Sequence, residues 1–153
     1  MNRRLLVILA AGGSAALLLG AFAFQHLGGL APCKMCLWQR WPHAAAILIG
    51  AVAVVVPGAA LPLLGALAAA ATAAIGIYHA GVEWDFWEGP TSCTATNNIG
   101  GLSPTELLAQ IQNAPIVRCD DIAWSLAGLS MAGWNAVLSL VLVGIWITAA
   151  RRA

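Results

Sequence analysis

Four cysteines in two groups are the residues of this chain that could do chemistry. Cys33 and Cys36 form a C-x-x-C pair, and Cys93 and Cys119 both lie in the long polar segment. Two thiols at C-x-x-C spacing can form and break a disulfide, and the thiolate is the form that attacks in thiol–disulfide exchange. The cysteines therefore predict redox chemistry, with a pair of structural disulfides as the alternative.

The residues around the C-x-x-C pair predict a reactive thiol. Pro32 is typical of the first turn of a helix, so we expect Cys33 to Arg40 to open one. Residues three and four apart share a helix face, which places Cys33, Cys36 and Arg40 on one side. The helix dipole and the permanent charge of Arg40 would both stabilise a thiolate there. A purely structural C-x-x-C disulfide is the alternative, but it would close too small a loop to stabilise a fold much. For Arg40 the alternative is that its side chain only snorkels to a membrane interface.

Composition indicates an integral membrane protein. Of the 153 residues, 61% are hydrophobic and only 8% are charged, whereas a typical soluble domain carries about 25% charged residues. All six acidic residues fall between positions 83 and 121. The basic residues form no patch of the kind that binds nucleic acid, and they are most concentrated at the two ends of the chain, as Arg3, Arg4, Arg151 and Arg152.

Uncharged stretches of the chain are long enough to form membrane spans, which need about 20 residues each. The breakers Pro57-Gly58 and Pro62 divide the longest of these stretches into two. We therefore predict an all-α fold, an integral membrane four-helix bundle in a single domain, residues 1–153. The expected spans are about 5–27, 38–56, 61–80 and 126–149, with outer loops at about 28–37 and 81–125.

The charge distribution also predicts the orientation. Arginines at both ends place both termini in the cytoplasm, which requires an even number of spans. Both cysteine-bearing loops then face the outer compartment, where disulfides persist. Tryptophans near the outer ends of the spans fit an interfacial aromatic belt, namely Trp38, Trp41, Trp84, Trp87 and Trp124.

A cleaved signal peptide is an alternative interpretation of the first segment. Arg3-Arg4 would be its basic region, and Ala21-Phe22-Ala23 is similar to an A-x-A cleavage site. The apolar run continues past the roughly 7–15 residues of a typical signal peptide and ends at the cysteine pair. The length of the run therefore favours a membrane span.

The long outer loop is predicted to contain a short amphipathic helix. Ser103-Pro104-Thr105-Glu106 is a capping box with proline at the first helical position, and an apolar stripe of Leu107, Leu108 and Ile111 follows. Such a helix could lie on the membrane surface or pack on the spans. Cys93 follows a stretch rich in turn formers, so we expect it to be extended and accessible to a partner. A disulfide in this loop could also be a simple staple.

The sequence does not predict a function for the histidines, and it does not predict a metal site. His26, His43 and His79 are scattered near outer helix ends, where a histidine is usually a hydrogen-bonding group; His79 is the strongest candidate because it enters the outer loop. A structural zinc site usually draws on two short C-x-x-C units. Only one is present, so no metal is expected.

The order of these features resembles the DsbB family. One C-x-x-C follows the first span, Gln39-Arg40 comes just beyond it, and Cys93 and Cys119 flank a long outer loop. Further resemblance lies in residues 83–90 and 124–135. The family is a four-helix inner-membrane quinone reductase that oxidises DsbA, a thioredoxin-fold protein, and this route keeps the bacterial periplasm oxidising.

The resemblance implies a role for each cysteine. Cys36 would face the quinone, ubiquinone or menaquinone, with Arg40 stabilising negative charge on the thiolate and on the reduced oxygen. Cys33 would exchange with Cys119. Cys93 would form the mixed disulfide with the DsbA-like partner.

The predicted activity is that of a protein-dithiol:quinone oxidoreductase in the bacterial inner membrane, with its active loops in the periplasm. Two other classes remain open. One is a structural tetraspan membrane protein with two stapling disulfides. The other is a membrane thiol-redox enzyme of epoxide-reductase type, a family in which the C-x-x-C lies late in the chain rather than after the first span.

Overall fold

Four long helices, one short helix and a small hairpin make up the part of the chain that the computed structural model describes, residues 2–90, 93, 103–112 and 117–153. The fold is all-α, as predicted, apart from the two-residue strands of the hairpin. In chain order the elements are α1 (Arg3–His26), α2 (Lys34–Ala53), α3 (Ala60–Glu83), α4 (Pro104–Gln112), β1 (Ser125–Leu126), β2 (Leu129–Ser130) and α5 (Met131–Ala150).

The long helices form a bundle in which each packs against two neighbours. α3 packs on α2 and α5, and α1 packs on the same two helices from the other side. The core is built largely from alanines, which let helices approach closely. Large apolar side chains point outward instead, among them Leu19, Trp41, Leu48, Val55 and Leu67. An apolar exterior around a core of small residues is the arrangement expected of helices surrounded by lipid.

Among the described residues, three helices are long and apolar enough to cross a membrane: α1, α3 and α5. The chain is therefore a multi-pass membrane protein. α2 has a similar length, but its first half carries Lys34, Gln39, Arg40 and His43. Gln39 and His43 are buried inside the bundle, so the lower hydropathy of α2 comes partly from side chains that lipid does not contact.

The end of the bundle farthest from the cysteines is tightly packed. Trp146 is fully buried there together with Val7 and Ala69. A Cβ atom at Gly65 would lie 2.6 Å from the Trp146 indole, so this glycine is needed for the close approach of α3 and α5. Arg3 donates to the Val56 carbonyl at 2.8 Å and joins the start of α1 to the connection between α2 and α3.

The start of α2 differs by one residue from the prediction. Cys33 is the N-cap, with extended backbone, and its Sγ accepts a hydrogen bond from the Cys36 amide at 3.2 Å. The helix therefore begins at Lys34, and Pro32 precedes the cap instead of lying in the first turn. The sulfur still lies at the positive end of the helix dipole.

The last long helix begins later than expected, at Met131 instead of near 126. Residues Ser125–Leu126 pair with Leu129–Ser130 in an antiparallel hairpin, and this uses the backbone that a longer helix would need. Ala127 and Gly128 form the turn with φ of 52° and 80°. Two consecutive left-handed residues are incompatible with a helix.

The predicted capping box of the outer loop is confirmed. Ser103 Oγ accepts from the Glu106 amide at 3.4 Å, and Glu106 Oε2 accepts from the Ser103 amide at 2.8 Å. α4 begins at Pro104, as expected. Leu108 of the predicted apolar stripe is exposed, whereas the side chains of Leu107 and Ile111 lie outside the described residues.

Candidate redox site

The cysteines meet where α2 begins and α3 ends. Cys33, Cys93 and Cys119 are buried in one apolar cluster that also contains Met35 and Val82. Cys36 is half-buried and packs against the same cluster. The C-x-x-C pair and the loop pair, far apart in sequence, are therefore side by side.

The two pairs differ in whether their sulfurs are bonded. Cys93 and Cys119 form a disulfide, whereas Cys33 and Cys36 are free thiols with their Sγ atoms 2.9 Å apart. The pKa of the Cys33 thiol is raised, first because its proton is donated to Cys36 Sγ and then because the thiol is buried. Negative charge on this pair is therefore favoured on Cys36, which also reaches a cavity.

The expectation that Cys93 is extended and accessible was wrong. Its amide donates to the Pro90 carbonyl at 2.9 Å, which is a turn, and the residue is only 1% exposed. The Cys119 amide donates to the Cys93 carbonyl at 2.7 Å, so the disulfide is also joined through the backbone. Turn-forming residues were correctly recognised in the sequence, but a turn can bury the residue that follows it when a disulfide holds it against a core.

A cavity of about 380 Å³ lies beside the thiol pair. Its walls are mostly apolar and include the indoles of Trp124 and Trp134 and the ring of Phe24. Cys36 and Arg40 line the same cavity. An apolar cavity with a small number of convergent polar groups is typical of a binding site for a small organic molecule.

Arg40 shares this cavity with Cys36, although its guanidinium turns toward α1. Nη1 donates to Gln25 Oε1 at 2.6 Å, and Nη2 lies 3.5 Å from the Ala21 carbonyl. The guanidinium carbon lies 4.7 Å from the centre of the Phe22 ring, a cation–π distance. Within the described part of the chain, the buried Nε has no hydrogen-bond partner. The Nε–H is therefore among the donors of Arg40 that remain for a further group.

A buried chain of polar side chains, which the sequence analysis missed as a unit, connects α2, α3 and α5. Gln39 Nε2 donates to His79 Nδ1 at 2.9 Å, and Gln39 Oε1 accepts from Asn135 Nδ2 at 2.7 Å. Asn135 Nδ2 also donates to Thr72 Oγ1 at 3.1 Å, and Asn135 Oδ1 accepts from His43 Nε2 at 2.8 Å. A polar side chain within a predicted span indicates a functional site, and this signal could have identified the group.

His79 joins this polar chain to the cysteines. Its Nε2 lies 3.5 Å from Cys33 Sγ and 3.9 Å from Glu83 Oε1, and the ring is within hydrogen-bonding reach of the Cys119 backbone. The imidazole and the Glu83 side chain are only 3% and 5% exposed. His26, in contrast, stacks on Phe22 in the last turn of α1. Of the three histidines, His79 is the one that contacts a sulfur of the C-x-x-C pair.

The charges beside Cys119 largely compensate each other. Arg118 forms two contacts with Asp120, at 2.5 and 3.0 Å, and a longer one of 3.7 Å with Asp121. The hydrogen bonds from the guanidinium lower the pKa of Asp120. One arginine therefore engages both acidic residues that follow Cys119.

The site was also tested for a metal. The ligand atoms of Cys33, Cys36 and His79 lie within 4.8 Å of one another. Two thiolates on one tetrahedral zinc, each about 2.3 Å from the ion, would be about 3.7 Å apart, whereas these sulfurs are 2.9 Å apart. That separation fits two thiols that share a proton and can form a disulfide.

A bundle with membrane-spanning helices, a dithiol and an adjacent disulfide defines a membrane thiol–disulfide protein. A family model described as "Disulfide bond formation protein DsbB" matches residues 3–149. The chain therefore belongs to the DsbB family, as its resemblance predicted. The name of the family implies disulfide-forming oxidoreductase activity.

Individual relatives agree with this assignment. "Disulfide bond formation protein B" of Pasteurella multocida is 30% identical over 151 residues, which cover 91% of this chain and 84% of that protein. "Disulfide bond formation protein B 2" of Pseudomonas aeruginosa is 31% identical over 150 residues, 90% and 83% of the two chains. The Stutzerimonas stutzeri protein of the same family name is 28% identical and is covered to 93% of its length. No solved structure matches the chain.

Proposed function

We propose that this chain reoxidises a periplasmic, DsbA-like thioredoxin-fold dithiol oxidase and passes the electrons to membrane quinone, which sustains disulfide bond formation. The observation that carries the proposal is the position of the Cys33–Cys36 dithiol, between the Cys93–Cys119 disulfide and an apolar cavity. Electrons that enter at the disulfide can therefore leave on the cavity side.

The cavity beside Cys36 has the properties that a quinone needs. Its apolar walls suit a flat, lipid-soluble ring, and the unpartnered Nε of Arg40 can donate to an oxygen. Cys36 and Arg40 would hold the quinone, which supplies an acceptor for two electrons and two protons. A DsbA-type disulfide has a reduction potential of about −120 mV, so this acceptor must have a still higher one.

The thiol relay can be written with all bonds balanced. Cys93 is buried in this structure, so the partner must first displace the loop around it. A partner thiolate then attacks Cys93 and Cys119 leaves, and the second partner thiol releases Cys93 and completes the partner's disulfide. Cys119 attacks Cys33 of the oxidised C-x-x-C pair, and Cys36 leaves. Cys93 finally attacks Cys119, which restores the loop disulfide and releases Cys33. The result is a loop disulfide beside a dithiol, the combination present in this structure.

The proposed topology places this chemistry on the periplasmic side of the bacterial inner membrane. α2 would be the fourth span, giving the spans expected at about 5–27, 38–56, 61–80 and 126–149. Both termini would be cytoplasmic, and the loops at about 28–37 and 81–125 periplasmic. The arginines at the two ends support this orientation through the positive-inside rule.

The proposal is tested with purified full-length protein in detergent micelles. A reduced DsbA-like protein serves as donor, and the loss of ubiquinone or menaquinone absorbance is followed. We expect quinone reduction that requires the donor and is abolished by Cys36→Ala. A protein whose loop disulfide is reduced by the donor without any quinone consumption would refute the proposal and favour a structural role.

A further inference from the structure

His79 contacts the C-x-x-C pair, and it takes no part in the bond exchanges of the thiol relay. Resting on the proposed function, we propose that His79 is a catalytic residue of the thiol exchange, whose Nε2–H donates a hydrogen bond to the Cys33 thiolate. We further propose that Gln39 and Asn135 act as positioning residues that hold the imidazole in the tautomer with its proton on Nε2. The observation behind both statements is the polar chain that ends at Cys33 Sγ.

The amide group of Gln39 determines where the proton of His79 lies. Gln39 Nε2 is 3.2 Å from the Met35 carbonyl, which can only accept, so this atom is the amide nitrogen. The same nitrogen faces His79 Nδ1 at 2.9 Å and donates to it. A neutral imidazole with an accepting Nδ1 carries its proton on Nε2. That proton therefore lies on the side of Cys33.

The orientation of Gln39 is in turn fixed by α3 and α5. Asn135 Nδ2 lies 3.4 Å from the Thr72 carbonyl, which again can only accept, and donates to Gln39 Oε1 at 2.7 Å. Thr72 Oγ1 donates to the Gln39 carbonyl at 3.2 Å. Turning either amide over would place two acceptors or two donors face to face. The tautomer of His79 is thus determined by hydrogen bonds from three helices.

This donor acts at the step in which Cys33 leaves. When Cys93 attacks Cys119 in the Cys33–Cys119 disulfide, the new bond joins Cys93 and Cys119 and the electron pair of the broken bond passes to Cys33 Sγ. No net oxidation occurs. The negative charge then meets two N–H groups, His79 Nε2 at 3.5 Å and the Cys36 amide at 3.2 Å. Hydrogen bonds to a charged sulfur stabilise the leaving group without moving a proton.

Other charges near Cys33 do not provide this donor. Cys36 and Arg40 on α2, Glu83 on α3, and Arg118 and Asp121 before the hairpin line the same cavity. Glu83 lies close to His79 Nε2 and competes for its proton at a longer distance, 3.9 Å. Arg118 is engaged with its acidic neighbours, and Arg40 with Gln25. None of these contacts substitutes for the imidazole at the sulfur.

The test measures the Cys33 thiol without quinone or partner. In full-length Cys36→Ser protein, with the loop disulfide intact, alkylation of Cys33 by iodoacetamide is followed by mass spectrometry as a function of pH. His79→Asn and His79→Gln are compared with the parent. The amide nitrogen of glutamine takes the place of imidazole Nε2, and that of asparagine takes the place of Nδ1. The two variants are therefore matched in polarity and differ in whether a donor faces Cys33.

We expect His79→Asn to raise the pH midpoint of alkylation by about one unit, which corresponds to about tenfold less thiolate near neutral pH. The midpoint of His79→Gln should stay close to that of the parent. Equal midpoints in all three proteins, or equal shifts in both variants, would overturn the catalytic role. A ¹⁵N spectrum of histidine-labelled, unsubstituted protein reads the tautomer directly and needs no variant. A proton on Nδ1 of His79 would overturn the positioning role of Gln39 and Asn135.

These outcomes are separable from those of the proposed function. A shifted midpoint in a protein that never reduces quinone would remove the proposed function and retain the hydrogen bond. Quinone reduction with an unchanged midpoint would retain the proposed function and remove the hydrogen bond.

Discussion

Replacing Arg40 tests the link between the cavity and quinone reduction most directly. The guanidinium already uses two of its nitrogens on α1, through Gln25 and the Ala21 carbonyl, and its face covers the Phe22 ring. Its buried Nε remains without a partner in the described chain, and Arg40 lines the cavity beside Cys36. We therefore assign to a bound quinone one charge-assisted hydrogen bond, from the Nε–H, which is one of the five N–H donors of the guanidinium.

The expected magnitude follows from that single bond. A hydrogen bond to or from a charged group contributes about 1.5–3 kcal/mol, which corresponds to roughly 10- to 150-fold in binding or rate. Arg40→Ala should therefore raise the apparent quinone KM, or lower kcat, by a factor in that range. Arg40→Lys keeps the charge but loses the planar group and the Nε donor, so its effect should be intermediate.

The assay is steady-state quinone reduction with a reduced partner protein, at several quinone concentrations. Arg3→Ala is the matched control, because Arg3 also joins helices through backbone carbonyls but lies at the opposite end of the bundle. The control should lose some thermal stability and keep its quinone KM. Exchange between the partner and Cys93 should survive in Arg40→Ala. Quinone kinetics that are equal in Arg40→Ala and in Arg3→Ala would refute the reasoning and leave Arg40 a packing residue.

Three further results are expected. Reporter fusions after Pro57 should be cytoplasmic and those near Leu30 periplasmic; an external reporter after Pro57 would contradict the four-span topology. A partner that lacks its second cysteine should be trapped through Cys93, so Cys93→Ala should abolish the complex and Cys33→Ala should not, whereas a trap that persists in Cys93→Ala would reverse the proposed order. Asn135→Leu should lower stability in detergent by about 1–3 kcal/mol in denaturant titrations, because it leaves buried donors and acceptors unpaired, and an unchanged midpoint would show that water replaces it.

The sequence was sufficient for the fold because each long helix is encoded locally. Uncharged runs and proline–glycine breakers delimit the helices, and the capping box of Ser103 and Glu106 appears as predicted. The start of α5 could not be predicted in the same way. Residues near 126 are apolar enough for a helix, and the left-handed turn at Ala127 is a non-glycine exception to the usual preference.

The candidate site was predictable only in part. The four cysteines and Arg40 stand out by type and spacing, but the burial of Cys93 depends on contacts with Met35 and Val82 from other helices. The polar chain through Gln39 was missed for a similar reason. Each member is a polar side chain in a predicted span and could have been noticed singly, but only the packing of three helices brings the hydrogen bonds together.

The composition of α2 shows how the fold and the site depend on each other. α2 is the long helix that falls short of a membrane span by hydropathy, and the buried Gln39 and His43 are among the residues that lower it. Unpaired in lipid, each would cost several kcal/mol. Both are paired by Asn135 on α5, and Gln39 also by His79 on α3. In the proposed four-span topology, α2 would therefore cross the membrane only within the assembled bundle, and the hydrogen bonds that stabilise it there would also orient the imidazole at Cys33.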